Sequence, residues 1–172
     1  KNGEALGRQS TKNIEIKPKK DKPGIDIIVA PNTKNEEIHI PVILTETGLN
    51  DLVYNDFYIG ENADVLIIAG CGIHNDGCET SQHDGIHTFH LEKGSKIKYV
   101  EKHYGEGSGV GKRILNPQTI VNLGENSSAE MEMIQIKGVD STKRDTEATL
   151  EKGAKLLITE RLMTHEKQYA ES

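Results

Sequence analysis

Tryptophan is absent from this 172-residue chain, and phenylalanine occurs only twice. Aromatics make up 4% of the residues and apolar residues 34%, which argues against a thick globular core and for a thin one, as in a stacked sheet or solenoid. Two cysteines exclude a disulfide framework, so the expectation is a reducing cytoplasm with both thiols free. No apolar stretch approaches the ~18–20 residues of a membrane-spanning helix, and no signal peptide is visible. The chain starts at Lys1 rather than Met, and the expectation is a fragment of a longer protein. A block of single-sign charge is also missing. The net charge is −6 with acids and bases interspersed, which excludes the basic stripe of a nucleic-acid binder. The longest basic run, Lys17-Pro18-Lys19-Lys20-Asp21-Lys22, lies among Pro18, Pro23 and Gly24 and reads as a solvated loop.

Common catalytic signatures are missing as well. The run Gly105-Glu106-Gly107-Ser108-Gly109-Val110-Gly111-Lys112-Arg113 fails as a phosphate loop. Glu106 stands where the first glycine belongs, Arg113 replaces the Ser or Thr, and no helix signal follows. It reads as a flexible loop. No Gly-x-Ser-x-Gly elbow is present, and the acids are spread over turns and wet faces. His87-x2-His90 followed by Glu92 falls short of the His-x-His of a cupin metal site.

What is present is a repeat. Apolar residues at 59, 91, 123 and 150 each open a similar unit, a spacing of 32, 32 and 27 residues. The hexapeptides at 91–96 and 150–155 differ only at Ser95 against Ala154. Three residues after each opening stands Asn62, Gly94, Asn126 or Gly153, the residue types that best accept a left-handed backbone, so each unit predicts a tight turn. The following segments Lys96-Ile97-Lys98-Tyr99 and Glu130-Met131-Glu132-Met133 alternate strictly, as half-buried strands do. A helical reading fails on the central Gly or Asn and on the period of two. The expected fold is a parallel β-helix, with the number of strands per turn left open; a β-sandwich or cupin-like barrel is the alternative. Residues 1–45 lack the turn unit and read as a polar N-terminal segment with opening strands of the same sheet system. Residues 46–172 form the solenoid. Within the opening, Ile25-Asp26-Ile27-Ile28-Val29 and Ile38-His39-Ile40-Pro41-Val42-Ile43-Leu44 bracket a loop at 31–37, and Pro41 predicts an edge strand.

Residues 71–90 hold both cysteines and four of the seven histidines. Thiolate and imidazole are ligands of iron, zinc and copper. Cys71, His74 and Cys78 are expected in a loop after the strand at 65–69. Their spacing matches no standard zinc finger, so a metal role and a pair of surface thiols both stand open. In a strand, His87 would share a face with Phe89 and Leu91, as a hydrogen-bonded core residue, while His90 would face the other way. His103 ends the next strand. His39 and His165 stand alone and read as packing or surface residues.

Several blocks together resemble one family. They are Ala69-Gly70-Cys71-Gly72, Gly85-Ile86-His87-Thr88-Phe89, Glu92-Lys93-Gly94-Ser95-Lys96-Ile97-Lys98-Tyr99-Val100, Arg113-Ile114-Leu115-Asn116-Pro117, and residues 130–138 running into Asp140-Ser141-Thr142. Their order and spacing over residues 36–165 resemble the SufB/SufD family, scaffold subunits of the SUF iron–sulfur cluster assembly machinery. The nearest likeness is to the short archaeal and anaerobe-type members. The resemblance implies a right-handed parallel β-helix without enzymatic activity, carrying a transient Fe–S cluster and working with a SufC-like ABC ATPase. It also implies pairing with a second copy or a paralogue. Cys71 matches a family cysteine implicated in cluster assembly, as a ligand or sulfur acceptor. Cys78, His74 and His83 follow in a variable loop and are inferred as accessory ligands. Family members continue into further β-helix and a helical region that carries another Cys or His and the ATPase docking surface. This chain stops at Ser172 without them, so truncation relative to the family is expected, and ATPase docking and a complete cluster site are in doubt. Two other readings stand beside this one. One is a metal-dependent β-barrel enzyme built on His87, His90, Glu92 and His103, and the other is a β-helix serving only protein assembly.

Overall fold

The structure, a computed structural model, describes residues 1–163 and 167–172; His165 lies outside the described residues. Among the described residues there are fourteen strands and no helix. They are β1 (Ile14–Pro18), β2 (Gly24–Val29), β3 (Lys34–Leu44), β4 (Asn50–Ile59), β5 (Asp64–His74), β6 (Ser81–Leu91) and β7 (Lys96–Glu106). There follow β8 (Arg113–Leu115), β9 (Gln118–Leu123), β10 (Ser128–Gln135), β11 (Ser141–Lys143), β12 (Asp145–Leu150), β13 (Lys155–Leu162) and β14 (Tyr169–Glu171). Among the described residues no helix is long and apolar enough to cross a membrane.

Successive strands alternate between two sheets, so each coil of the chain lays one strand, or one interrupted strand, in each. One sheet runs β3, β5, β7, β10, β13. The other runs β2, β4, β6, then β8 and β9, then β11 and β12, with β14 on β11. All these pairings are parallel, and only the hairpin of β1 on β2 is antiparallel. The fold is therefore a parallel β-helix with two long strands per coil. Pro41 does sit on an edge strand, β3, where its missing N–H breaks no ladder.

The predicted turns are present and stack. Asn62, Gly94, Asn126 and Gly153 all have positive φ, between 56° and 72°. In each, the residue after closes back: Ala63 N–H donates to Gly60 at 3.0 Å, Ser95 to Glu92 at 3.1 Å, Ser127 to Gly124 at 3.1 Å and Ala154 to Glu151 at 3.1 Å. A left-handed third residue is what a type II turn requires. The turns also bond to one another. Asn62 N–H donates to the Lys93 carbonyl, Gly94 to Glu125 and Asn126 to Lys152, each within 3.0 Å.

Four expectations need correction. The turn unit is not confined to the chain beyond residue 45. Asn32 has φ 61° and donates to the Glu61 carbonyl at 2.9 Å, so residues 30–33 are the first turn of the same stack. Pro31 replaces the usual acidic or basic residue there and hides the likeness. Pairing of β2 with β4 and of β3 with β5 carries the solenoid across residues 45 and 46, and the supposed loop at 31–37 is largely strand, with a bulge at Asn35. The basic run is not uniformly solvated. Lys19 is only 7% exposed at its side chain, because its ammonium bridges Asp26 and Asp56; burial opposes its charge, but the two carboxylates hold its pKa above the ordinary value. The glycine-rich segment after β7 is the far turn of its coil, laid on the preceding one: Gly109 N–H donates to Asn75 and Gly111 N–H to Gly77.

Alternation along the strands places Ile27, Phe57, Phe89 and Val121 in one interior ladder, with the Phe57 and Phe89 rings stacked at 4.4 Å. Ile38, Ile67, Tyr99, Met131 and Ile158 face them from the other sheet. Columns one side chain wide explain how a core forms with so few aromatics. At Gly94 a left-handed backbone costs a non-glycine residue about 1–2 kcal/mol. Urea denaturation of Gly94→Ala is therefore expected to show a loss of about that size, whereas Asn62→Gly, which keeps the turn, should stay within about 0.5 kcal/mol of the parent.

Candidate functional site

The interior apolar residues form two clusters rather than one. The larger holds Phe57, Phe89, Tyr99, Met131 and their neighbours near the type II turns. The smaller holds Leu44, Cys71, Ile73, Leu115 and Val139 near the far turns. Polar side chains fill the space between. The inward positions of β6 run Ser81, His83, Gly85, His87, Phe89, Leu91, so one strand passes from polar to apolar along its own face. The inward positions of β7 run Ile97, Tyr99, Glu101, His103. Asp51 and Asn55 of β4, Thr119 of β9 and Gln135 of β10 extend the band into neighbouring coils, and Arg144 enters from the bend between β11 and β12.

Glu101 stands at the centre. Its carboxylate accepts from Arg144 Nη1 at 3.0 Å and from the Tyr99 hydroxyl at 2.9 Å, with His103 Nε2 at 3.5 Å. Burial alone would raise the Glu101 pKa, but His103 and Arg144 bring it well below the ordinary carboxylate range. Tyr99 is pushed far above its ordinary value by burial and by Glu101, so its hydroxyl keeps its hydrogen and donates it to Glu101. The same oxygen lies 3.1 Å from His87 Nδ1 and accepts the hydrogen there. Burial lowers the His87 pKa to about 4, against the opposing pull of Glu101, so the ring is neutral near pH 7. His83 Nδ1 donates to Asp51 Oδ2 at 2.8 Å. Arg144 Nη2 donates to His103 Nδ1 at 3.3 Å. Both amide atoms of Gln135, next to His103 in register, have no hydrogen-bond partner, nor does Arg144 Nε.

This network regroups the residues singled out in the sequence. Cys71 is not in a loop. It lies on β5, buried, stacked between Val42 and His103 in register. His83 is not in a loop either, but faces inward from β6. Strands longer than expected account for both: β5 runs on to His74 and β6 starts at Ser81. Cys71, His83, His87, Glu101 and His103 line one interior cavity of about 10 Å³. Cys78 is exposed. His74 ends β5 facing outward, where Asp76 and then Glu106 raise its pKa through hydrogen bonds at 2.7 and 3.4 Å. His90 faces outward and stacks on Tyr58 at 4.9 Å, while Glu92 caps the N–H of Glu61 in an exposed turn. His90 and Glu92 thus do not join His87 and His103. His87 does share its face with Phe89 and Leu91.

The Cys71 thiol is raised well above its ordinary pKa, first by burial and then by the charges of Glu101 and Asp51. It is a protonated, packed thiol rather than an activated one. Glu101 was legible by extending the alternation of Ile97 and Tyr99 two residues on; Arg144 carried no such signal. Comparison with protein-family models, with curated proteins and with solved structures gives no match.

Removing one partner of a buried ion pair costs about 3–5 kcal/mol, because the other is left uncompensated. Glu101→Gln is expected to lose about that much stability in a denaturant titration, and a loss below about 1 kcal/mol would show that the pair is dispensable. The pH dependence follows from His87. The unfolded imidazole takes its proton near pH 6.5 and the folded one only near pH 4, so stability drops as pH falls through that window and is unaffected above it. The fall is up to about 3 kcal/mol. Glu101 adds a further loss below its ordinary value of 4.5. Denaturation midpoints measured from pH 7 down to pH 4 should show this slope, and His87→Gln should flatten it.

Proposed function

We propose that this chain is a scaffold component of iron–sulfur cluster assembly, related to the SufB/SufD family and acting with a SufC-like ABC ATPase in the reducing cytoplasm. One observation carries the reading: in a parallel β-helix, the thiol at the position resembling the family's cysteine lines a buried cavity together with three imidazoles and a carboxylate. Thiolate with imidazole is a donor set suited to iron and its clusters. The cluster is cargo, and the cavity does not fit it whole. About 10 Å³ is space for one water-sized occupant. The role assigned to this chain is therefore to supply Cys71 as one ligand, which requires the buried thiol to become accessible to the remaining ligands of a second copy or a paralogue. Ligation requires Cys71 to give up the proton that burial holds on it.

Anaerobic reconstitution of the chain with ferrous iron and sulfide, with and without the ATPase, tests this. Cys71→Ser is expected to lose most of the iron and sulfide retained by the parent, and Cys78→Ser to keep it. Equal retention by the parent and by Cys71→Ser would remove the role of Cys71. Equal function of the double cysteine variant would instead favour a β-helix that serves assembly alone.

A further inference from the structure

Two imidazole nitrogens in the core face one gap. His83 and His87 stand two residues either side of Gly85 on the inward face of β6. A β-carbon at position 85 would lie 2.8 Å from His87 Nε2 and 3.3 Å from His83 Nε2. The missing side chain of Gly85 is thus the space towards which both Nε2 atoms turn. Each ring is held from behind at its other nitrogen, His83 by the Asp51 carboxylate and His87 by the Tyr99 hydroxyl, itself bound to Glu101. Metal-bound histidines are oriented in this way, with the second N–H given to a carboxylate or another fixed acceptor. Cys71 borders the same cavity from the opposite sheet. His103 is engaged at both nitrogens, by Arg144 and Glu101.

We propose that His83 and His87 bind a single divalent transition-metal ion through their Nε2 atoms, with the Cys71 sulfur as third ligand. Two imidazoles and a thiolate select zinc, cobalt or ferrous iron over magnesium and calcium. Glu101 lines the cavity and Asp51 stands behind His83, so two carboxylates lie near the site against the one guanidinium of Arg144. Among the described residues no three such groups already stand in a metal-ligating cluster. The two rings are the preorganised part, and Cys71 has to approach them to complete the set, releasing the thiol proton. Ion and cluster would compete for Cys71, but the ion site does not require that the chain carry a cluster, so this inference does not rest on the scaffold reading.

Titrating the metal-free full chain with cobalt(II) under anaerobic conditions tests it. One equivalent per chain is expected, with sulfur-to-cobalt charge-transfer absorption. Cys71→Ser should lose that absorption and keep weaker binding. Asp51→Asn should weaken binding by about 10–100-fold while leaving the ligands in place. His74→Ala, which alters only the exposed His74, Asp76 and Glu106 group, should bind as the parent does. No binding by the parent, parent-like affinity in a folded His87→Gln chain, or loss of binding in His74→Ala would each overturn the site. If the core variants do not fold, X-ray absorption of the zinc-loaded parent decides: two imidazoles and one sulfur are expected, and a shell of oxygen alone overturns it. A chain that takes cobalt but builds no cluster overturns the scaffold reading and leaves this one intact.

Discussion

A carboxylate in the middle of a β-helix has to be matched, and Glu101 sets the terms for everything around it. It is 2% exposed, so burial disfavours its charge. Arg144, 43 residues further along the chain, restores that charge through a bond at 3.0 Å. The pairing ties β7 to the bend between β11 and β12, and Tyr99 and His103 spread it across the sheet. An apolar ladder such as Val29, Ile59, Leu91, Leu123 and Leu150 would accept a slip of two residues with little loss. A directional network of carboxylate, guanidinium, phenol and imidazole does not, because each slip leaves a buried polar group alone.

That network divides the interior. The apolar column beneath the type II turns supplies most of the burial, while the polar band lodges Cys71 and three imidazoles away from solvent. The division gives chemically equipped residues two different settings on the same short stretch of sequence. His87 and His90 are three residues apart, yet one is neutral and enclosed and the other stacks on Tyr58 in water. The dense Cys and His segment is therefore not one site. It supplies an interior group, Cys71, His83 and His87, and an exterior group, His74, Cys78 and His90.

The coiled architecture was legible because it repeats: a positive-φ residue at Asn62, Gly94, Asn126 and Gly153 cannot be disguised when only Asn or Gly fits. The first coil is harder to read, because Pro31 changes the appearance of its turn while Asn32 keeps its geometry. Strand ends were harder to read. The glycines at 70 and 72 look like loop residues in sequence, but parallel pairing on β7 holds them extended, and this moved Cys71 from a loop into the wall of the core. Glu101 obeyed the alternation and could be read from it. Arg144 could not, since only closure of two further coils brings it to Glu101.

The near-constant interval between stacked partners has a kinetic consequence. Each residue on β4 pairs with one 32 positions later on β6, and the same interval recurs from β6 to β9. No hydrogen bond between these strands can form until a loop of that length has closed, and closure entropy rises only slowly with loop size, so every coil meets a similar barrier. Once two coils are in register, the third finds a template already laid out. The chain is thus built to fold slowly at first and then to grow from whichever pair of coils closes earliest.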